Sequence, residues 1–131
     1  MSDMRNLNNT GPIDMASVLE RVGGDESFLR ELIDIYIEDF MDKYVLLEQA
    51  VAEGDFNNIK EIGHSLKGAS GNLSLTGLHE TAHGIESSGK ENDIEQARLL
   101  FIRLKEEFIK LKDFLPPEKR QNIEQKMPSM K

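Results

Sequence analysis

The sequence predicts an all-α fold: an antiparallel four-helix bundle preceded by a short N-terminal helix. Three observations predict it. Prolines stand only at positions 12, 116, 117 and 128, so nothing interrupts a helix between 13 and 115. Apolar residues in that stretch recur at three- and four-residue spacings, and no strand-like alternation competes. Glycines and aspartates punctuate the pattern where loops of two to six residues would join one helix to the next.

The elements follow in order. Residues 1–12 are rich in Asn and Gly and carry no periodicity, so they read as a flexible N-terminal segment. A short helix is expected from Ile13 to Val22, ending at Gly23-Gly24. Asp25 is placed to cap a helix of about seven turns, with Phe28, Leu29, Leu32, Ile33, Tyr36, Ile37, Phe40, Tyr44, Leu47 and Val51 on its apolar side and Gly54 at its close. Asp55 can cap the next helix, which turns Phe56, Ile59, Ile62, Leu66, Ala69 and Leu73 inward. Ser74 or Thr76 starts a shorter helix on Leu75, Leu78, Ala82 and Ile85, ending in Ser87-Ser88-Gly89. Asp93 opens the last helix, whose Ile94, Ala97, Phe101, Leu104, Phe108, Leu111 and Leu115 alternate spacings of three and four, the seam of an antiparallel bundle. Residues 116–131 read as a flexible, locally basic tail that could carry a helical turn from 118 to 126. The bundle proper is 13–115.

Composition narrows the function. At 131 residues and 38% hydrophobic, the chain makes one domain with one core. No apolar run approaches the ~20 residues of a membrane span, and the polar start MSDMRNLNNTG lacks an apolar signal core. There is no cysteine, which excludes disulfides, thiolate chemistry and Cys-based zinc sites. These features lead us to expect a cytoplasmic protein; a monomer is expected as well. Net charge is −8, and the tail is the basic part: without it the chain has 12 basic against 22 acidic residues. That balance, with 6% aromatics and no Trp, argues against nucleic-acid binding.

The third helix is the informative one. At about 100° per residue with Ile59 at zero, Ile62, Leu66, Ala69 and Leu73 fall between about 280° and 340°, the core arc. Lys67 lies near 80°, Lys60 near 100°, Gly71 near 120°, His64 near 140° and Gly68 near 180°. His64 therefore points away from the core, with a lysine about one turn before it and another one turn after. Glycine inside a helix costs about 0.5–1 kcal/mol relative to alanine, yet Gly63, Gly68 and Gly71 all stand here. An exposed histidine beside lysines is common on helices; the glycines distinguish this one. Bare positions at i+4 and i+7 would let a second macromolecule approach the imidazole. An exposed imidazole titrates near neutral pH and offers an unprotonated nucleophilic nitrogen. Neighbouring lysines can neutralise a phosphoryl group in flight.

The run His64-Ser65-Leu66-Lys67-Gly68-Ala69-Ser70-Gly71-Asn72-Leu73 resembles the signature of histidine phosphotransfer (HPt) domains of bacterial phosphorelays, roughly H-x-L-K-G-(S/A)-(S/A)-x-x-(L/I/V)-G. Gly24-Asp25-Glu26-Ser27-Phe28-Leu29 and Ala52-Glu53-Gly54-Asp55 resemble the family's entries to its first long helix and its histidine helix. The resemblance covers about residues 13 to 115. Two positions depart from it: Ser74 stands where glycine is usual, and Gly63 where alanine is usual. The resemblance implies that His64 is the phosphoacceptor, that Lys67 assists the phosphoryl group, and that Gly68 clears room for the partner; Lys60 and Gly71, at neighbouring angles on the same face, are expected to join Gly68 in partner docking. It implies a phosphoryl carrier rather than an enzyme, one that accepts the group from a receiver-domain aspartate and passes it to another receiver. The partners implied are receiver domains of response regulators and a hybrid sensor histidine kinase. No cofactor is expected in this chain; a Mg ion is expected on the partner receiver. No Gly-rich ATP-binding box or Walker-type sequence is present, so the phosphoryl group is expected to come from another protein.

Two rival readings compete. His79-Glu80-Thr81-Ala82-His83 fits H-E-x-x-H, the zinc metallopeptidase helix. Two histidines at i and i+4 can share a metal with the glutamate as base, but no third ligand is evident and a narrow bundle leaves no substrate cleft. We therefore expect no metal and place His79 and His83 on a half-exposed helix flank. The other rival is an adaptor bundle without chemistry.

Overall fold

The computed structural model describes residues 11–131. The predicted flexible lead-in of 1–12 therefore falls almost wholly outside the described residues. Local capping chemistry sets the helix starts. Asp14 accepts the Ser17 backbone N–H (3.1 Å) to open α1, Met15–Arg21. Asp25 accepts that of Phe28 (3.0 Å) for α2, Glu26–Glu53, and Asp55 that of Asn58 (3.2 Å) for α3, Phe56–Asn72. Asp93 accepts that of Gln96 (3.0 Å) for α5, Ile94–Asp113. Each carboxylate satisfies an otherwise orphaned donor in the first turn and favours the positive end of the helix dipole. Gly54 ends α2 at φ +66°, a left-handed conformation that costs glycine nothing.

Between α3 and α5 runs α4, Thr76–Lys90. Its start differs from expectation: neither Ser74 nor Thr76 caps it, and Leu75 occupies the N-cap without a side-chain bond. Ser74 instead takes φ +55°, the left-handed turn for which the resembling family keeps glycine. The Ser74 carbonyl accepts the Asp14 N–H (2.8 Å), and its hydroxyl donates to Ser17 (3.0 Å), fastening the turn to α1. The end of α4 also lies later than predicted, at Lys90. Ser87-Ser88-Gly89 continues the helix because the run packs: Ser88 is buried and donates to the Ile85 carbonyl (2.7 Å), and Gly89 lies against the Lys60 backbone.

Apolar faces of α2–α5 meet in a core that includes Leu29, Phe40 and Leu47 of α2, Ile59 and Leu66 of α3, Leu78 and Ile85 of α4, and Leu104 and Phe108 of α5. Phe40 and Phe108 stack with ring centroids 4.1 Å apart, and Tyr44 stacks on Phe101 at 4.6 Å, joining α2 to α5. The buried Tyr36 and Ser70 hydroxyls bond at 2.8 Å, joining α2 to α3. Among the described residues no strand occurs, and no helix is long and apolar enough to cross a membrane.

The reading of 116–131 as a flexible tail needs correction. Pro117–Lys126 forms α6, followed by a 3-10 turn at Pro128–Met130. Ile123 and Met130 are buried, and the Lys112 ammonium, itself buried at the end of α5, holds the Glu124 carboxylate and the Met130 carbonyl, each at 2.6 Å. Lys119 and Lys126 reach back to Asp34 (2.6 Å) and Glu38 (2.8 Å) on α2. A basic segment on an acidic chain finds counter-charges on the bundle, and two apolar anchors seat it.

Candidate functional site

The site begins with how closely α3 and α4 approach. A Cβ at Gly63 would lie 2.6 Å from the Glu86 backbone nitrogen and 2.9 Å from its Cα. One at Gly89 would lie 2.5 Å from the Lys60 nitrogen. Two glycines, one on each helix, thus let the backbones touch, and Gly63 sits where the resemblance expects alanine. The contact carries the Glu86 side chain under the residue that follows Gly63, His64.

Glu86 is the hub of the site. It is only 4% exposed, and a carboxylate so buried must be paired. Its Oε2 accepts from His64 Nδ1 (2.8 Å) and lies 3.6 Å from the Lys90 ammonium. Oε1 pairs with the Lys67 ammonium (2.6 Å), with His83 Nδ1 at 3.9 Å. The Lys67 contact above all, with His64 and Lys90 adding, holds the carboxyl down at about 2 against the opposing effect of burial. Glu86 is therefore an anion at neutral pH and can only accept. The shared proton must sit on His64 Nδ1, so Nε2 is the outward nitrogen and the one that carries the lone pair whenever the ring is neutral. The His64 side chain is 66% exposed.

The other predicted positions fall in different places. Around Gly68 the helix is open: a Cβ there would meet nothing within 4 Å. Lys67 folds back on Glu86, the carboxylate that also holds the imidazole. Lys60 pairs with Glu61 at 3.6 Å, its backbone under Gly89. Gly71 lies beneath the His79 ring, whose Nδ1 would be 3.1 Å from a Cβ there and donates to the Lys67 carbonyl (3.0 Å). Its carbonyl accepts from Arg21 (2.7 Å). The bareness of Gly71 thus serves the α3–α4 packing that seats His79. His79 and His83 point to different partners, and no group of three or more metal-ligating side chains occurs among the described residues.

The arrangement brings His64 and Lys67 to one carboxylate and adds Glu86, Lys90 and His83, which sequence reasoning passed over. A signal for Glu86 was available. It follows Ile85 and lies one turn beyond Ala82, on the flank of the apolar face of α4, where an unpaired carboxylate is costly. Together Glu86, Lys67 and Lys90 leave one net positive charge beside a free imidazole nitrogen, a setting for a nucleophile that receives an anionic group.

A family model described as Hpt domain matches residues 31–114. Phosphorelay intermediate protein YPD1 of Candida albicans is 23% identical over 105 residues, covering 78% of this chain and 57% of that protein. The chain thus spans little more than half the length of that curated relative. No solved structure matches it.

Proposed function

Because the chain belongs to the Hpt domain family, we propose that it is a phosphorelay intermediate that takes a phosphoryl group onto His64 Nε2 from the aspartyl phosphate of one receiver domain and yields it to the aspartate of another. The observation that carries this reading is the His64–Glu86 bond of 2.8 Å, which commits Nδ1 and presents Nε2 to solvent on an open helix face. The Nε2 lone pair forms the N–P bond as the donor's O–P bond breaks, and the electron pair leaves with the donor carboxylate. Lys67 meets the charge spread over the transferring oxygens. Gly68 leaves the helix surface clear for the receiver, which brings its own Mg ion to the carboxylate side of the transfer. The work is positioning and charge stabilisation, so the chain acts as a carrier. Lys60 supports docking from the flank of the same helix, while Gly71, covered by the His79 ring, does not take part. The geometry of His79 and His83 favours no peptidase reading.

Transfer time courses from a phosphorylated receiver test this reading. Wild type is expected to gain acid-labile, base-stable phosphate, and His64→Gln none. Lys67→Ala is expected to slow transfer without blocking access. Gly68→Gln is expected to slow it strongly while the protein melts at or above the wild-type temperature, since glycine is a poor helix former. Equal labelling of His64→Gln and wild type would overturn the proposal.

A further inference from the structure

From the same cluster we infer that Glu86 keeps the proton on His64 Nδ1 after the phosphoryl group has arrived, so that the phosphohistidine is held as a labile imidazolium rather than relaxing to a stable neutral form. The inference rests on the phosphocarrier reading. It adds a positioning residue that sets how readily the group moves on.

The geometry supplies the reason. When Nε2 bonds to phosphorus while Nδ1 keeps its hydrogen, the ring carries a positive charge. Loss of the Nδ1 proton to solvent would cancel that charge and make the ring a poor leaving group. Glu86 Oε2 lies 2.8 Å from that nitrogen and is shielded from water, so the proton stays between them and the new charge is matched in place. In onward transfer the N–P electron pair returns to the ring, which is again neutral with Nδ1–H, and the receiver aspartate gains the O–P bond. No proton enters or leaves in either direction.

The groups that face the pair come from two helices. On α3 these are Lys67, bound to the other carboxylate oxygen, and Lys60, turned to Glu61. On α4 they are Lys90 at 3.6 Å and His83 at 3.9 Å from the carboxylate. Among the described residues no charged side chain of α2 or α5 pairs with Glu86. Lys67 and Lys90, the two lysines at the carboxylate, oppose a charged ring, so Glu86 is the group that favours it.

The test compares phosphorylated wild type with phosphorylated Glu86→Gln, each loaded by a phosphorylated receiver or by phosphoramidate and freed of donor. Glutamine keeps the shape and removes the charge. Hydrolysis is followed from pH 5 to 9, with melting curves to establish that the variant is folded. The fall in hydrolysis rate with rising pH is expected about one pH unit lower in Glu86→Gln, so that near pH 7.5 its phosphohistidine lasts up to about tenfold longer. Superimposable profiles, or a shift to higher pH, would overturn the inference. A second measurement avoids the variant: the 15N shift of His64 Nδ1 in phosphorylated wild type is expected to report a protonated nitrogen at pH 7.5, and a deprotonated one would overturn it. Failure of His64 to label from a receiver in wild type would instead sink the phosphocarrier reading, while labelling with unchanged lability would sink this inference alone.

Discussion

Replacing Gly63 with alanine adds one methyl group to a helix and should still destabilise the protein. The added Cβ would stand 2.6 Å from the Glu86 nitrogen, 2.9 Å from Glu86 Cα and 3.1 Å from the Ile85 carbonyl carbon. All three are backbone atoms of α4, so no side chain can turn aside and the helices must part. Overpacking of this kind costs about 1–3 kcal/mol. The better helix propensity of alanine returns about 0.5–1 kcal/mol, leaving a net loss of up to about 2.5 kcal/mol. For a chain of this length that is a fall in melting temperature of up to about 9 °C. The matched control is Gly68→Ala on the same helix, where a Cβ meets nothing within 4 Å. It should gain about 0.5–1 kcal/mol and melt about 2–4 °C higher. Thermal denaturation followed by far-UV circular dichroism reads both. A Gly63→Ala protein melting at or above wild type would refute the close α3–α4 contact, and with it the explanation of how Glu86 reaches His64.

Further outcomes follow from other contacts. Met130→Ala should lower stability by about 2 kcal/mol or more if the C-terminal turn is seated in the core; an unchanged urea midpoint would show that it is not. Glu86 is held at about 2 in the folded protein against an ordinary value of 4.5, so its contribution is complete above 4.5 and is lost as pH falls toward 2. Wild type should therefore lose more stability than Glu86→Gln over that range, and parallel losses would contradict the pairing. Lys112 lowers the Glu124 carboxyl in the same sense, so α6 should loosen on acidification. Hydrogen exchange confined to 117–131 would report it, and protection unchanged down to pH 2 would count against the contact.

The sequence disclosed those features whose causes are local. Asp25, Asp55 and Asp93 cap helices because a carboxylate three residues ahead of an amide needs no tertiary information. The exposed angle of His64 followed from helical period alone. What stayed hidden depends on contacts between distant segments. Glu86 lies 22 residues from His64, and its role exists only because Gly63 and Gly89 bring two helices into backbone contact. Docking of α6 depends on Lys112 meeting Glu124 and the Met130 carbonyl, and the segment's own pattern offers only Ile123 as a buried apolar residue within the helix. Gly71 was assigned to docking by its angle, while its nearest neighbour is the His79 ring from the next helix.

The central claim is that one imidazole of three carries the phosphoryl group. Its most direct test is to map the phosphate on wild-type protein after incubation with a phosphorylated receiver domain, by fragmentation mass spectrometry under alkaline conditions. The account predicts one phosphoryl group per chain, on His64. Phosphate on His79 or His83, or none on any histidine, would contradict it.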